Sequence, residues 1–155
     1  MTSTRYAAAL LWLALVLFLG SAYFAAQTTG PFIVPILQML APGASSAELH
    51  AAHLALRKLA HLTEYAVLAL LWFRALRHGG PRTSRAAAWI ALSICLTCAL
   101  IDEAHQSMIP TRTGSARDLV IDASGAAGML ALTRGRRTTR DRATQPGPVA
   151  AEPGD

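Results

Sequence analysis

The chain has 155 residues, a length that fits a single domain. Its formal net charge is +5, and such a basic balance can indicate nucleic-acid binding. Here the arginines lie between and beyond apolar stretches, where they orient membrane helices and contact anionic headgroups. Hydrophobic residues make up 53% of the chain, but soluble domains are also rich in them, so their clustering decides the class. We therefore expect a membrane protein with no nucleic-acid partner.

The first apolar stretch, residues 6–26, contains no charged side chain. About 20 such residues cross the hydrocarbon core of a bilayer, so the stretch predicts a transmembrane helix. A cleaved signal peptide is the alternative, but the apolar part is long for one. Phe24, Ala25 and Ala26 also match a small-x-small cleavage site poorly. We predict that this helix is retained.

Three more apolar stretches follow, and each carries ionisable residues at one end. Each reaches spanning length only when its charged end is included, so those charges must lie in or near the membrane, where an unpaired charge costs a few kcal/mol. The predicted core therefore covers 57–133, with helices at about 57–77, 86–107 and 115–133.

Arginine and lysine positions predict the orientation. Ten of the fourteen lie before the first helix, between the second and third, or after the fourth. By the positive-inside rule these segments are cytoplasmic. The prediction is an all-α, four-transmembrane-helix bundle in the inner membrane, with both termini cytoplasmic. Residues 27–56 form an extracytoplasmic loop with an apolar interfacial segment, and the polar tail 134–155 is predicted to be disordered.

The second helix is predicted to be long, because neither Gly nor Pro occurs from Ser45 to Leu76 and Ser45 with Glu48 resembles a capping box. Five of its polar residues recur every three or four positions and so share one helical face. They are His50, His53, Arg57, His61 and Glu64.

The third and fourth helices bring further ionisable residues to the same side of the membrane. On the third, Asp102, His105 and Gln106 are predicted to share a face, with Glu103 further round. On the fourth, Asp118 can act as a carboxylate near the helix N-terminus, but Asp122 is too deep for that role. Below it, Ser124 and Gly128 match the small-xxx-small pattern of close helix packing. The sequence thus predicts a polar site at the outer leaflet.

Four short motifs in this region resemble those of the VanZ-like family. They are Lys58-x-x-His61-x-x-Glu64-Tyr65, Asp102-Glu103-x-His105-Gln106, Pro110-x-Arg112, and Asp118-x-x-x-Asp122-x-x-Gly125-x-x-Gly128. The resemblance covers about 57–132. It departs at Asp122, where the family pattern predicts asparagine, and at Glu64, where the family varies. The family is named for a protein associated with teicoplanin resistance, so the resemblance implies a role in the cell envelope but no particular reaction.

Binding of an anionic amphiphile, either a lipid phosphate or a lipoglycopeptide, is the function we predict. Arg112 is the best phosphate partner because its planar guanidinium can donate two parallel hydrogen bonds. The predicted partners are membrane lipids and a lipid-linked envelope precursor or glycopeptide; the oligomeric state is not predicted. The predicted ligand-binding residues are Lys58, His61, Tyr65, Glu103, His105, Gln106, Arg112, Arg117, Asp118 and Asp122.

Two alternatives remain open from the sequence. One is a membrane hydrolase that uses either acid–base chemistry or a divalent metal, although no cofactor is predicted. Its candidate catalytic residues are His61, Glu64, Asp102, Glu103 and His105, and its candidate metal ligands are His61, Glu64, Glu103 and His105. The other is a purely structural network of buried ion pairs, such as one between Glu103 and Arg112.

Overall fold

The computed structural model describes residues 4–78, 83–108 and 116–143, and within those ranges it contains helices and no strand. The all-α prediction is therefore confirmed for the described part of the chain. In chain order the elements are α1 (Thr4–Leu19), a single 3-10 turn (Ala22–Phe24), α2 (Ala26–Leu40), α3 (Ser46–His78), α4 (Ser84–Ser107) and α5 (Ala116–Ala143).

Helix α3 is the long helix that the sequence predicts. Its 33 residues extend for about 49 Å at 1.5 Å per residue, which exceeds a hydrocarbon core of about 30 Å. The predicted capping box is present at its start: the Ser45 N–H donates to Glu48 Oε2 at 2.8 Å, and the Glu48 N–H donates to Ser45 Oγ at 3.3 Å.

Helices α3 and α4 are each long and apolar enough to cross a membrane, judged by length and composition. Helix α1 is shorter than the predicted helix at 6–26 and ends at Leu19. Gly20, the next residue, packs closely against α4. A Cβ atom at Gly20 would lie 2.5 Å from Asp102 Oδ1. The rest of the predicted first helix forms the 3-10 turn and the start of α2.

Helix α2 contains the apolar segment that the sequence assigns to the interface. It has 15 residues, includes Pro31 and Pro35, and carries no charged side chain. At the other end of the chain, α5 continues to Ala143, so residues 134–143 are helical where the sequence predicted disorder. No proline occurs in α5, and the packed part of the helix can extend into this polar segment. Residues 144–155 lie outside the described residues.

The hydrophobic core lies where α3, α4 and α5 pack together, with α1 against α3. Tyr65 and Phe73 of α3 are fully buried there, next to Cys95 of α4 and Ala126 of α5. A hydrogen bond from Trp12 Nε1 to the Glu64 backbone carbonyl, 2.9 Å long, fixes α1 on α3.

Helices α3 and α5 are in close contact at Gly125. A Cβ atom there would lie 2.2 Å from the Leu62 carbonyl oxygen, so no larger residue fits without moving the backbone. Close packing through small residues is therefore present, but in a different register from the predicted pair. Ser124 is exposed, and no atom of the described residues lies within 4 Å of a Cβ atom at Gly128. The contact uses Gly125 because that position, rather than Gly128, faces α3.

Candidate functional site

A cavity of about 210 Å³ lies between the end of α1, helix α2 and the first half of α3. We call it the α2–α3 cavity. Leu19, Phe24, Ile33 and Leu56 give it apolar walls. Its polar lining residues are Thr29, His53, Arg57, His61 and Glu64. Four of these five belong to the face of α3 that the sequence spacing predicts. Residues of that face therefore line one cavity.

Arg57 lines two cavities and also contacts the segment before α2. It is half-buried, and its guanidinium donates a hydrogen bond to the Phe24 backbone carbonyl. With His61 it also lines a second cavity of about 70 Å³, which Lys58 and Asp118 border as well. Arg57 belongs to the polar face predicted for α3, but it was not among the predicted ligand-binding residues. Its position one helical turn before His61 is the sequence feature that could have identified it.

A buried histidine–carboxylate pair joins α3 to α5. His61 Nδ1 lies 3.2 Å from Asp122 Oδ1, and the Asp122 side chain is 0% exposed. The contact links the two helices through an imidazole and a carboxyl group, and His61 also lines both cavities. Aspartate in place of the asparagine that the VanZ-like pattern predicts thus gives the imidazole a carboxyl partner.

A second histidine joins α3 to α2. His53 is buried, and its Nε2 lies 3.1 Å from Thr29 Oγ1. The Thr29 hydroxyl itself donates to the Ala25 carbonyl at 3.1 Å, so His53 Nε2 is the donor to Thr29. The ring packs beside Gly30. Neither Thr29 nor His53 was among the predicted ligand-binding residues, and only the spacing of His53 from Arg57 pointed to it.

The acidic end of α4 lies next to the α2–α3 cavity but does not line it. Asp102 and Gln106 are buried, and Gln106 Nε2 donates to Asp102 Oδ2 at 2.8 Å. Asp102 Oδ1 faces Gly20, which lines the cavity from the other side. His105 is exposed, so the face predicted for Asp102, His105 and Gln106 holds for two of the three. Glu103 is partly buried.

Tyr65 lies in the core rather than in the cavity. It is 0% exposed and within electrostatic range of Asp102 and Asp122. Among the described residues, neither its hydroxyl nor Asp122 Oδ2 has a hydrogen-bond partner. Of the other predicted residues, Lys58 and Arg117 are exposed and Asp118 is partly buried. Arg112, with Pro110, lies outside the described residues.

The proposed metal ligands do not converge. Within 4–78, 83–108 and 116–143, no three His, Cys, Asp or Glu side chains are close enough to hold a metal ion. His61 and Glu64 line the α2–α3 cavity, whereas His105 faces outward on α4. The described residues therefore do not fit a metal centre.

Comparison with protein families extends the resemblance seen in the motifs. A family model described as VanZ/LLP1 matches residues 6–135. The chain belongs to the VanZ/LLP1 family. The match covers α1 and α2 as well as the three-helix core, so both walls of the α2–α3 cavity fall within the family's region. No curated protein and no solved structure matches the chain.

Proposed function

We propose that this VanZ/LLP1 member is a multi-pass inner-membrane protein whose α2–α3 cavity binds an anionic amphiphile of the outer leaflet. Four membrane crossings, with both termini in the cytoplasm, place that cavity on the outer side. Two helices of suitable length and the distribution of arginine and lysine support this topology. Family membership supports a contribution to glycopeptide resistance or to maintenance of the envelope.

Arg57 is the observation that carries the proposal. A guanidinium is an effective partner for phosphate and carboxylate, because its planar fork donates parallel hydrogen bonds. The contact with the Phe24 carbonyl holds it at the cavity, where Leu19, Ile33 and Leu56 offer apolar surface beside the charge. A charged group next to an apolar wall suits a ligand with an anionic head and a hydrocarbon chain.

The surrounding acids act on the cations rather than on the ligand. Asp122 is fully buried behind His61, and Asp118 borders the smaller cavity but not the α2–α3 cavity. Both carboxylates therefore orient their cationic neighbours, and the Arg57 guanidinium donates the hydrogen bonds to the anion. Glu64, which also lines the cavity, limits its net positive charge and favours a single anionic group over a highly charged one.

Native mass spectrometry of the purified full chain tests this proposal. The probes are dioleoyl phosphatidate and dioleoyl phosphatidylcholine, which share acyl chains and differ in headgroup charge. We expect Arg57→Gln to weaken phosphatidate retention by about tenfold or more, since a hydrogen bond to a charged group contributes about 1.5–3 kcal/mol. Arg74→Gln, at an exposed position on the far end of α3, is the matched control. Equal retention by the two variants would refute anion binding through Arg57.

Teicoplanin susceptibility tests the biological context. A deletion strain complemented with the wild-type chain, Arg57→Gln or Arg74→Gln is compared for growth in teicoplanin and in its deacylated form. We expect only Arg57→Gln to behave like the deletion, and the difference to require the acyl chain. Identical susceptibility in all strains would remove glycopeptide resistance from the proposal while leaving lipid binding to be decided by the spectrometric assay.

Cysteine labelling in intact cells tests the topology. In a chain with Cys95→Ser and Cys98→Ser, we expect a membrane-impermeant maleimide to label Gly43→Cys, in the loop before α3, and to leave Arg85→Cys unlabelled. Labelling of Arg85→Cys alone would show the opposite orientation and would place the α2–α3 cavity on the cytoplasmic side.

A second candidate function, metal-independent hydrolysis, is favoured by the pair of His61 and Asp122. A carboxylate behind an imidazole fixes the ring so that its other nitrogen can take a proton from water. Turnover of a short-chain lipid ester by the purified chain, lost in His61→Gln with binding retained, would support this function. Absence of turnover in the wild type at every pH from 5 to 9, a range chosen to bracket the ordinary histidine pKa, would leave binding alone.

A further inference from the structure

The cytoplasmic half of the helix bundle carries a second groove, distant from Arg57. A cavity of about 120 Å³ lies between the first half of α4 and the second half of α5. We call it the α4–α5 groove. Three alanines line it, together with Trp89, Leu92 and Leu130. Arg134 also lines it. Its lining is therefore apolar or aromatic except for one cation.

Up to residue 134, the charges of this half are of one sign. The segments 66–78, 83–99 and 123–134 contain no aspartate or glutamate, whereas they carry Arg74, Arg77, Arg85 and Arg134. The acidic residues of α3, α4 and α5 that precede residue 135 all lie at the opposite end of the bundle. Helix α4 also begins here, at Ser84, and a helix N-terminus carries a partial positive charge. An anion therefore complements this end of the groove.

Trp89 adds a feature typical of the bilayer interface. Its side chain is 59% exposed although it lies between apolar residues of a helix that can cross the membrane. Exposed tryptophan is enriched at headgroup depth, where its ring contacts acyl chains and its N–H stays near water. Arg134 borders the same groove, so the cation and the ring lie at similar depth. Together they match a lipid whose headgroup is at the interface and whose chain enters the groove.

We infer that the α4–α5 groove binds an anionic phospholipid of the cytoplasmic leaflet, with the headgroup at Arg134 and one acyl chain against the alanines that line it. This site is separate from the α2–α3 cavity and does not depend on a ligand there, but its assignment to the cytoplasmic leaflet rests on the topology in the proposed function. A basic residue near an anionic membrane surface contributes about 1 kcal/mol, so a single well-placed arginine gives about a fivefold preference for a negatively charged headgroup.

Native mass spectrometry of the full chain with dioleoyl phosphatidylglycerol and dioleoyl phosphatidylcholine tests the inference. We expect about fivefold stronger retention of phosphatidylglycerol. In an Arg57→Gln background, which removes the anion site proposed for the α2–α3 cavity, Arg134→Gln should remove that preference. Ala131→Leu, which fills the groove, should weaken retention of both lipids. The matched controls are Arg74→Gln and Ala14→Leu, whose positions are exposed and do not line the groove. Both should behave as the wild type.

Three outcomes would overturn the inference. Equal retention of the two lipids by the wild type would exclude selection of an anionic headgroup. An equal loss in Arg134→Gln and Arg74→Gln would indicate a diffuse basic surface without a defined site. A loss of phosphatidylglycerol in Arg57→Gln but not in Arg134→Gln would assign the lipid to the α2–α3 cavity. If Ala131→Leu lowers the thermal unfolding midpoint, the comparison of Arg134→Gln with Arg74→Gln still tests the inference.

Discussion

Replacement of Gly125 by alanine should separate α3 from α5 and thereby disturb the candidate site. The new Cβ atom would lie 2.2 Å from the Leu62 carbonyl oxygen and 3.0 Å from its carbonyl carbon. Both atoms belong to the backbone, so neither can move away by a change of rotamer. Since ordinary contacts begin near 3.4 Å, the two helices must move apart locally by about 1 Å.

The loss in the free energy of unfolding follows from that displacement. Overpacking of a close helix contact destabilises a protein by about 1–3 kcal/mol, and alanine returns at most about 1 kcal/mol through its better helix propensity. Gly128→Ala is the matched control because no atom of the described residues lies within 4 Å of a Cβ atom there. It should keep the propensity gain without the clash, so the two variants should differ by about 1–3 kcal/mol.

Thermal unfolding in detergent, followed by circular dichroism, measures this difference. For a chain of this size each kcal/mol shifts the midpoint by about 2–4 °C, so Gly125→Ala should unfold several degrees below Gly128→Ala. Phosphatidate retention should also fall in Gly125→Ala, because the separated helices stretch the contact between His61 and Asp122 one turn away. Equal midpoints for the two variants would refute the close approach of α3 and α5.

Three further predictions concern the contacts around the site, each measured by the same unfolding assay. His61→Ala leaves the Asp122 carboxylate buried without its imidazole and should cost about 3–5 kcal/mol; adding Asp122→Asn should restore part of that stability, and a purely additive double variant would argue against the pair. Gly20→Ala should lower the midpoint, since its Cβ meets Asp102 Oδ1 at 2.5 Å, and Asp102→Ala should relieve the clash unless another group causes it. Trp12→Phe should cost about 0.5–1.5 kcal/mol through the lost hydrogen bond to α3; no change would show that the bond contributes nothing.

Much of the helical architecture could be predicted from hydrophobic periodicity and from the residues that begin and end helices. The long α3 follows from an uninterrupted stretch without Gly or Pro and from the Ser45–Glu48 capping box, both of which are local features. The close contact of Gly20 with Asp102 could not be predicted, because the two residues are 82 positions apart in the chain. Contacts of that separation leave no periodic signal in a single sequence.

The candidate site was predicted only in part, because sequence spacing reports on one helix and not on its contacts with other helices. Spacing along α3 indicated a face with His53, Arg57, His61 and Glu64, and these residues do line one cavity. Spacing cannot show which face of another helix meets it. The pairing of His61 with Asp122 and the choice of Gly125 over Gly128 therefore required the structure. The orientation of α4 about its own axis likewise buries Asp102 and Gln106 and leaves His105 exposed.

Photocrosslinking in cells tests the central claim, an anionic amphiphile in the α2–α3 cavity, most directly. A benzophenone side chain is placed at Ile33, which lines the cavity, or at Ile36, which is on the same helix, 54% exposed, and does not line it. After irradiation, mass spectrometry of the purified chain identifies the adducts. We predict an adduct with a phosphate- or carboxylate-bearing amphiphile at Ile33 that Arg57→Gln abolishes, and only bulk lipid at Ile36. The same mixture of bulk lipids at both positions, unchanged by Arg57→Gln, would contradict the proposed function.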